Sequence, residues 1–256
     1  EDDRQVQIQT VQNFISRGVD AIALAPLDAR SLVPVVKAAG GKDIPVIIFD
    51  SDLGSDAYRS FVATDNQEGG RLAARRLAEA VGGKGNVILL RYAEGSASTT
   101  HREEGFLAEM KKFEPAIQLL SANQYAGVTM EKAYQVAQNL LNRYPNVDGV
   151  FCANEVSTQA VLRALQTAKK TGKVKLVGFD ATETLVNALR NSEVHGLAVQ
   201  DPFGMGYLAV KTAVQALQGE TVSRRLDTGV TMVTPENMAE PAVNALLHPE
   251  IEKWLQ

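Results

Sequence analysis

Short, continuous apolar runs alternate along the chain with longer segments in which apolar residues recur every three or four positions. The runs are Ala21 to Ala25, Val46 to Phe49, Val87 to Leu90 and Leu176 to Phe179, and further strands are read at Ser60 to Ala63, Asn86 to Leu90, Ile117 to Ala122 and Gly196 to Val199. Unbroken apolar strands of this kind are buried on both faces, as in parallel sheets covered by helices. The helical pattern covers Gln67 to Val81, about Ser98 to Phe113, Met130 to Arg143, Ser157 to Thr171, Thr184 to Asn191 and Phe203 to Gln218, with an extra helix in the tail Pro235 to Gln256. Strands and helices in strict alternation predict a doubly wound α/β fold.

The pattern also repeats, at a spacing of roughly 130 residues. Gly18-Val19-Asp20-Ala21-Ile22 through Pro26, a helical stretch and Ile44 to Asp50 reappear as Asn146-Val147-Asp148-Gly149-Val150 through Asn154, a helical stretch and Val174 to Asp180. Thr64-Asp65 followed by Gly70, Leu72 and Ala73 matches Gln200-Asp201 followed by Gly206, Leu208 and Ala209. Two similar parallel-sheet lobes are therefore expected, 1–64 with 201–230 and 65–200 with 231–256. Three short crossings, near Thr64-Asp65, Gln200-Asp201 and Thr228 to Thr234, would form a hinge, with ligand held in the cleft. The second half opens with a strand-helix-strand unit, Asn86 to Ala122, that has no counterpart in the first. A segment of roughly 40 residues is thus expected upstream of Glu1, and the first lobe is read as incomplete.

In open parallel sheets ligands bind beyond the carboxyl ends of the strands. Those ends carry Asp50, Asn154, Asp180 and Gln200, with Thr64 at a fifth, and Arg102 lies in the first turn of the helix after Val87 to Leu90. Carboxylates, an arginine and amides together offer donors and acceptors, which suits vicinal hydroxyls, because each OH both donates and accepts. Each Asp or Asn taken singly is equally well explained as the cap of the next helix. The symmetric placement of Asp50 and Asp180 favours a site.

These segments, with Arg102-Glu103-Glu104-Gly105-Phe106, Gln138-Asn139-Leu140-Leu141 and Gly178-Phe179-Asp180, resemble the type I periplasmic solute-binding proteins of sugar ABC transporters, the ribose-binding group, from Gln5 to Gln256. The resemblance implies that Asp50, Arg102, Asn154, Asp180 and Gln200 hydrogen-bond a monosaccharide or polyol, with Thr64 and Phe179 nearby. It also implies a periplasmic or lipid-anchored extracellular monomer that delivers sugar to a permease, without cofactor or catalysis. Ser51 and Val128 depart from the family pattern, and Tyr92, Tyr125 or Phe203 are candidates for a stacking face. The same core serves as the effector domain of LacI-type repressors and as the sensing domain of chemoreceptors or kinases.

Composition narrows the choices. A 45% hydrophobic, 22% charged chain of 256 residues with net charge −4 is a folded protein without the basic character of nucleic-acid binders. Cys152 is the only cysteine, so disulfides within the chain are excluded, and its place mid-strand reads as a buried small hydrophobe. His195 and His248 are isolated, and no acid or His cluster has metal-ligand spacing. Asp50-Ser51-Asp52 is a short phosphatase-like match, Gly82-Gly83-Lys84-Gly85 reads as a turn, and Thr100 with Glu103 has capping-box spacing.

Overall fold

In a computed structural model that describes residues 3–251, the elements run α1 (Arg4–Arg17), β1 (Ile22–Leu24), α2 (Val33–Gly40), β2 (Val46–Phe49), β3 (Ser60–Ala63), α3 (Asn66–Ala80), β4 (Gly85–Arg91), α4 (Ala97–Met110), β5 (Ile117–Tyr125), α5 (Met130–Arg143), β6 (Gly149–Cys152), α6 (Glu155–Thr167), β7 (Lys175–Phe179), α7 (Glu183–Arg190), β8 (Gly196–Val199), α8 (Pro202–Leu217), β9 (Arg225–Asp227), β10 (Thr231–Val233) and α9 (Pro241–Leu247). The α/β alternation expected from the apolar runs is the one observed.

In several places the structure departs from the expected boundaries and caps. Helix α6 starts at Glu155 because Asn154 caps it, and stops at Thr167 because Lys169 and Gly172 turn left-handed, at φ 54° and 73°. Thr228 to Thr234 is not one extended crossing: β9 and β10 join different sheets on either side of Gly229, at φ 77°. The capping box is absent, since α4 begins at Ala97, which puts Thr100 inside the helix, and Glu103 is engaged elsewhere. In the expected tail helix only Pro241–Leu247 is helical among the described residues, and its stretch beyond 251 lies outside them.

The chain divides into two units. The first comprises Glu1–Asp65, Gly95–Ser98 and Asp201–Gly229. Its sheet has the order β1-β2-β3-β9, all parallel, and among the described residues β1 is paired on one side only. Helices α1 and α2 cover one face through Val11, Ile15, Val35 and Val36, and α8 covers the other, with Ala209 and Ala213 against Ile47 and Val62. The outward face of α8 leaves Tyr207, Val210, Val214 and Leu217 exposed. The segment Gly95–Ser98 is held here by Ala29 N–H donating to Gly95 O (3.0 Å) and Ser98 N–H to Ser51 Oγ (3.2 Å).

The second unit comprises Asn66–Glu94, Thr99–Gln200 and Val230–Gln256. Its sheet has the order β10-β8-β7-β6-β4-β5, parallel except for β10. Helices α5, α6, α7 and α9 bury one face and α3 with α4 the other, where Phe106 stacks on Phe151 at 4.5 Å. Helices α3 and α4 approach unusually closely. A Cβ on Gly70 would stand 1.9 Å from the Arg102 carbonyl oxygen, and one on Gly105 2.1 Å from that of Gln67. Only glycine at both positions lets the backbones meet.

Candidate functional site

Strands β6, β7 and β8 are neighbours in register, Phe151 beside Val177 and Phe179 beside Ala198. They end together, which sets Asn154, Asp180 and Gln200 in a row along the carboxyl edge of the second sheet. Asp180 is in the left-handed region at φ 69°, which Asp tolerates better than most residues. That turn presents its carboxylate to three partners. Oδ1 accepts Gln200 Nε2–H at 2.6 Å, Oδ2 accepts the Glu155 N–H at 3.3 Å, and the Arg102 guanidinium lies 3.8 Å from Oδ2.

The Gln200 amide is oriented by this bond. A carboxylate can only accept, so the NH₂ must face Asp180 and the carbonyl must face away. Its Oε1 is buried and has no hydrogen-bond partner among the described residues. Leaving such an acceptor unmet costs about 1–3 kcal/mol, and a ligand hydroxyl would remove that cost. Asn154 divides its work: Oδ1 accepts the Ser157 N–H and the Ser157 hydroxyl, which caps α6.

Arg102 is 3% exposed, and a buried guanidinium has to be satisfied. Its Nε donates to Asn66 Oδ1 (2.7 Å), one Nη donates to Ala153 O (3.0 Å), and the flat cation lies 3.8 Å above the Phe179 ring. Phe179 is fully buried and serves as the seat of the guanidinium. Gly69 makes room for that ring, for a Cβ there would lie 2.7 Å from Phe179 Cζ.

In the first unit Asp50 repeats the geometry of Asp180, at the end of β2 with φ 62° and its N–H donated to Val62 O at 2.9 Å. Thr64 is buried, and its hydroxyl donates to Gly229 O (3.1 Å) where Arg225 also grips the carbonyls of Ala63 and Thr64. It belongs to the joint between β3 and β9. The structure thus gathers Arg102, Asn154, Asp180, Gln200 and Phe179 in the second unit, and places Asp50 and Thr64 at the ends of the neighbouring strands β2 and β3 in the first.

Other candidates resolve into structural parts. Asp52 accepts its neighbour's N–H and the Tyr58 hydroxyl, and burial together with the Asp52 charge pushes that phenol up to about 12. Gly82 and Gly83 turn α3 into β4. Glu103 accepts the Tyr92 N–H and pairs with Arg91 at 2.7 Å. Tyr125 lies under Arg91, and Phe203 is exposed in the first turn of α8. No group of three potential metal ligands occurs among the described residues, and no helix there is long and apolar enough to cross a membrane. Sequence reasoning missed Glu155 and Asn66, which touch Asp180 and Arg102. Both begin helices directly after strand ends, which was the available signal.

The sequence profile of the periplasmic binding protein domain matches residues 1–221. The chain is 32% identical over 232 residues to the ribose import binding protein of Escherichia coli, covering 90% of this chain and 76% of that protein. A carbohydrate transporter solute-binding protein from Agrobacterium radiobacter, solved in complex with D-arabinose, superposes with a TM-score of 0.92 at 34% identity, over 96% of this chain and 85% of that one. An ABC transporter solute-binding protein from Bacillus halodurans with bound myo-inositol gives 0.87 at 28% identity, over 94% and 83%. With its two parallel-sheet units and these relatives, the chain belongs to the periplasmic binding protein family, among relatives that bind sugars for ABC transporters.

Proposed function

We propose that this protein captures a neutral monosaccharide or related polyol in the periplasm and delivers it to an ABC-transporter permease, with no chemical step of its own. Arg102, Asn154, Asp180 and Gln200 of the second unit would provide hydrogen bonds to the ligand, and Asp50 is the candidate contact of the first. The observation that carries this reading is the buried, unpartnered Gln200 Oε1 beside a carboxylate and a guanidinium. That set provides an acceptor, an acceptor and a donor within reach of adjacent hydroxyls. Relatives with bound D-arabinose and myo-inositol support a ring of hydroxyls as the ligand class. The same relatives, being transport proteins, support uptake over the repressor-effector reading.

Titration calorimetry with D-ribose, D-allose, D-arabinose and myo-inositol tests the proposal. At least one should bind, and Asp180→Ala and Asp50→Ala should each weaken it by about 2–4 kcal/mol, because each leaves buried hydroxyls unpaired. A loss below a few tenths would remove that residue from the site. Binding by none would defeat the sugar reading. Incubation with phosphorylated sugars should release no phosphate above a protein-free control.

A further inference from the structure

Glu155 shares its surroundings with Asp180, and the sugar-capture reading leaves it without a role. It occupies the first position of α6, half-buried. Its N–H is held by Asp180 Oδ2, while its Oε1 accepts Gln159 Nε2–H at 2.9 Å. The same Gln159 nitrogen donates to Thr182 Oγ1 at 3.1 Å, tying the start of α6 to that of α7. Among the charged groups around Glu155, the turn after β7 contributes Asp180, and α4 contributes Arg102, which reaches Asp180. Gln159 and Thr182 are neutral, and Glu183 beside Thr182 is exposed. Asp180 is thus the carboxylate beside Glu155, and the buried guanidinium that pairs with Asp180 is already shared with Asn66 Oδ1 and Ala153 O.

We propose that Glu155 couples ligand binding to the uptake of a proton: hydroxyls that cover Asp180 displace the water screening the two carboxylates, and Glu155 takes a proton from solvent. The inference rests on the sugar-capture reading. Burial, and then the like charge of Asp180, already hold Glu155 above the ordinary glutamate range in the free protein. Further drying acts in the same direction. Linkage fixes the sign. If the bound form holds more protons than the free form, affinity rises as pH falls through the interval between the two titration midpoints.

The experiment is calorimetry of wild type and Glu155→Gln with whichever of D-ribose, D-allose, D-arabinose or myo-inositol binds, in buffers of different ionisation enthalpy between pH 5 and 7.5. Wild type should take up a fraction of a proton per sugar and the variant none. Between pH 7.5 and 5.5, wild-type affinity should improve about 3- to 10-fold relative to the variant. Sugar binding with equal proton uptake in both proteins overturns the inference and leaves the capture reading standing. Binding by no sugar in the panel takes both down. A test without ligand follows the Glu155 carboxyl carbon by NMR: Asp180→Asn should lower its titration midpoint, and an unchanged midpoint would overturn the coupling.

Discussion

Phe179 and Arg102 form one working part, an aromatic floor and the cation resting on it. A desolvated cation–π contact contributes about 2 kcal/mol, so Phe179→Leu should weaken sugar binding while preserving most of the core volume. Calorimetry should show a loss close to that figure, and Arg102→Ala in the Phe179→Leu background should then cost less than Arg102→Ala alone. Independent effects of the two changes would mean that the floor does not set the guanidinium. His195 makes a separate prediction about stability. Burial, and then the positive charges of Lys175 and Arg76, push it down to about 4, while its Nδ1 accepts the Leu176 N–H. An unfolded histidine titrates near 6.5, so from about 6.5 down to about 4 the unfolded chain takes up a proton that the folded one refuses. Its contribution is complete above about 6.5 and is lost as pH falls through that window. Denaturant unfolding at pH 7.5 and 4.5 should show His195→Gln losing less stability on acidification than wild type. Asn154, Asp180 and Gln200 were legible in the sequence because the last apolar residue of a run marks the carboxyl end of a strand. The burial of Phe179 under Arg102 was not, since a residue on a fully buried strand can face either helix layer and the sequence does not say which. Glu155 was hidden because a first-turn glutamate is ordinary helix-dipole chemistry.

At the scale of elements, the two matched helices α3 and α8 meet different surroundings. Gly70 of α3 is pressed against α4, yet its repeat partner Gly206 of α8 has nothing within 4 Å of where a Cβ would stand. Gly70→Ala should therefore force α4 outward, at a cost of about 1–3 kcal/mol in stability, and should impair sugar binding because α4 carries Arg102. Gly206→Ala should be neutral or stabilising by up to about 1 kcal/mol, as for glycine in a helix interior. Thermal unfolding of the two variants gives a direct comparison, and equal effects would refute it. Element identity was legible because the apolar runs and the helical period agreed along the chain. The separation of β9 from β10 was not, because the left-handed turn at Gly229 splits a stretch whose composition reads as continuously extended.

At the scale of the whole molecule, sequence order and spatial membership part ways. Helix α3 follows a strand of the first unit and lies in the second, whereas α8 follows a strand of the second and lies in the first. Residues 1–65 alone would leave Ile47 and Val62 without the α8 side chains that bury them and β3 without β9. That fragment should show no cooperative thermal transition by circular dichroism, and a sharp one would mean that the first unit does not depend on α8. Cys152 gives the second unit a different kind of readout. It is fully buried on β6, between β4 and β7, and burial pushes its thiol well above the usual range. A thiol reagent should therefore modify the native protein only as fast as that sheet opens, and with no other cysteine in the chain there is no second signal to subtract. The unmodified protein thus carries its own clock for rare openings of one unit, to be read by mass spectrometry with and without sugar.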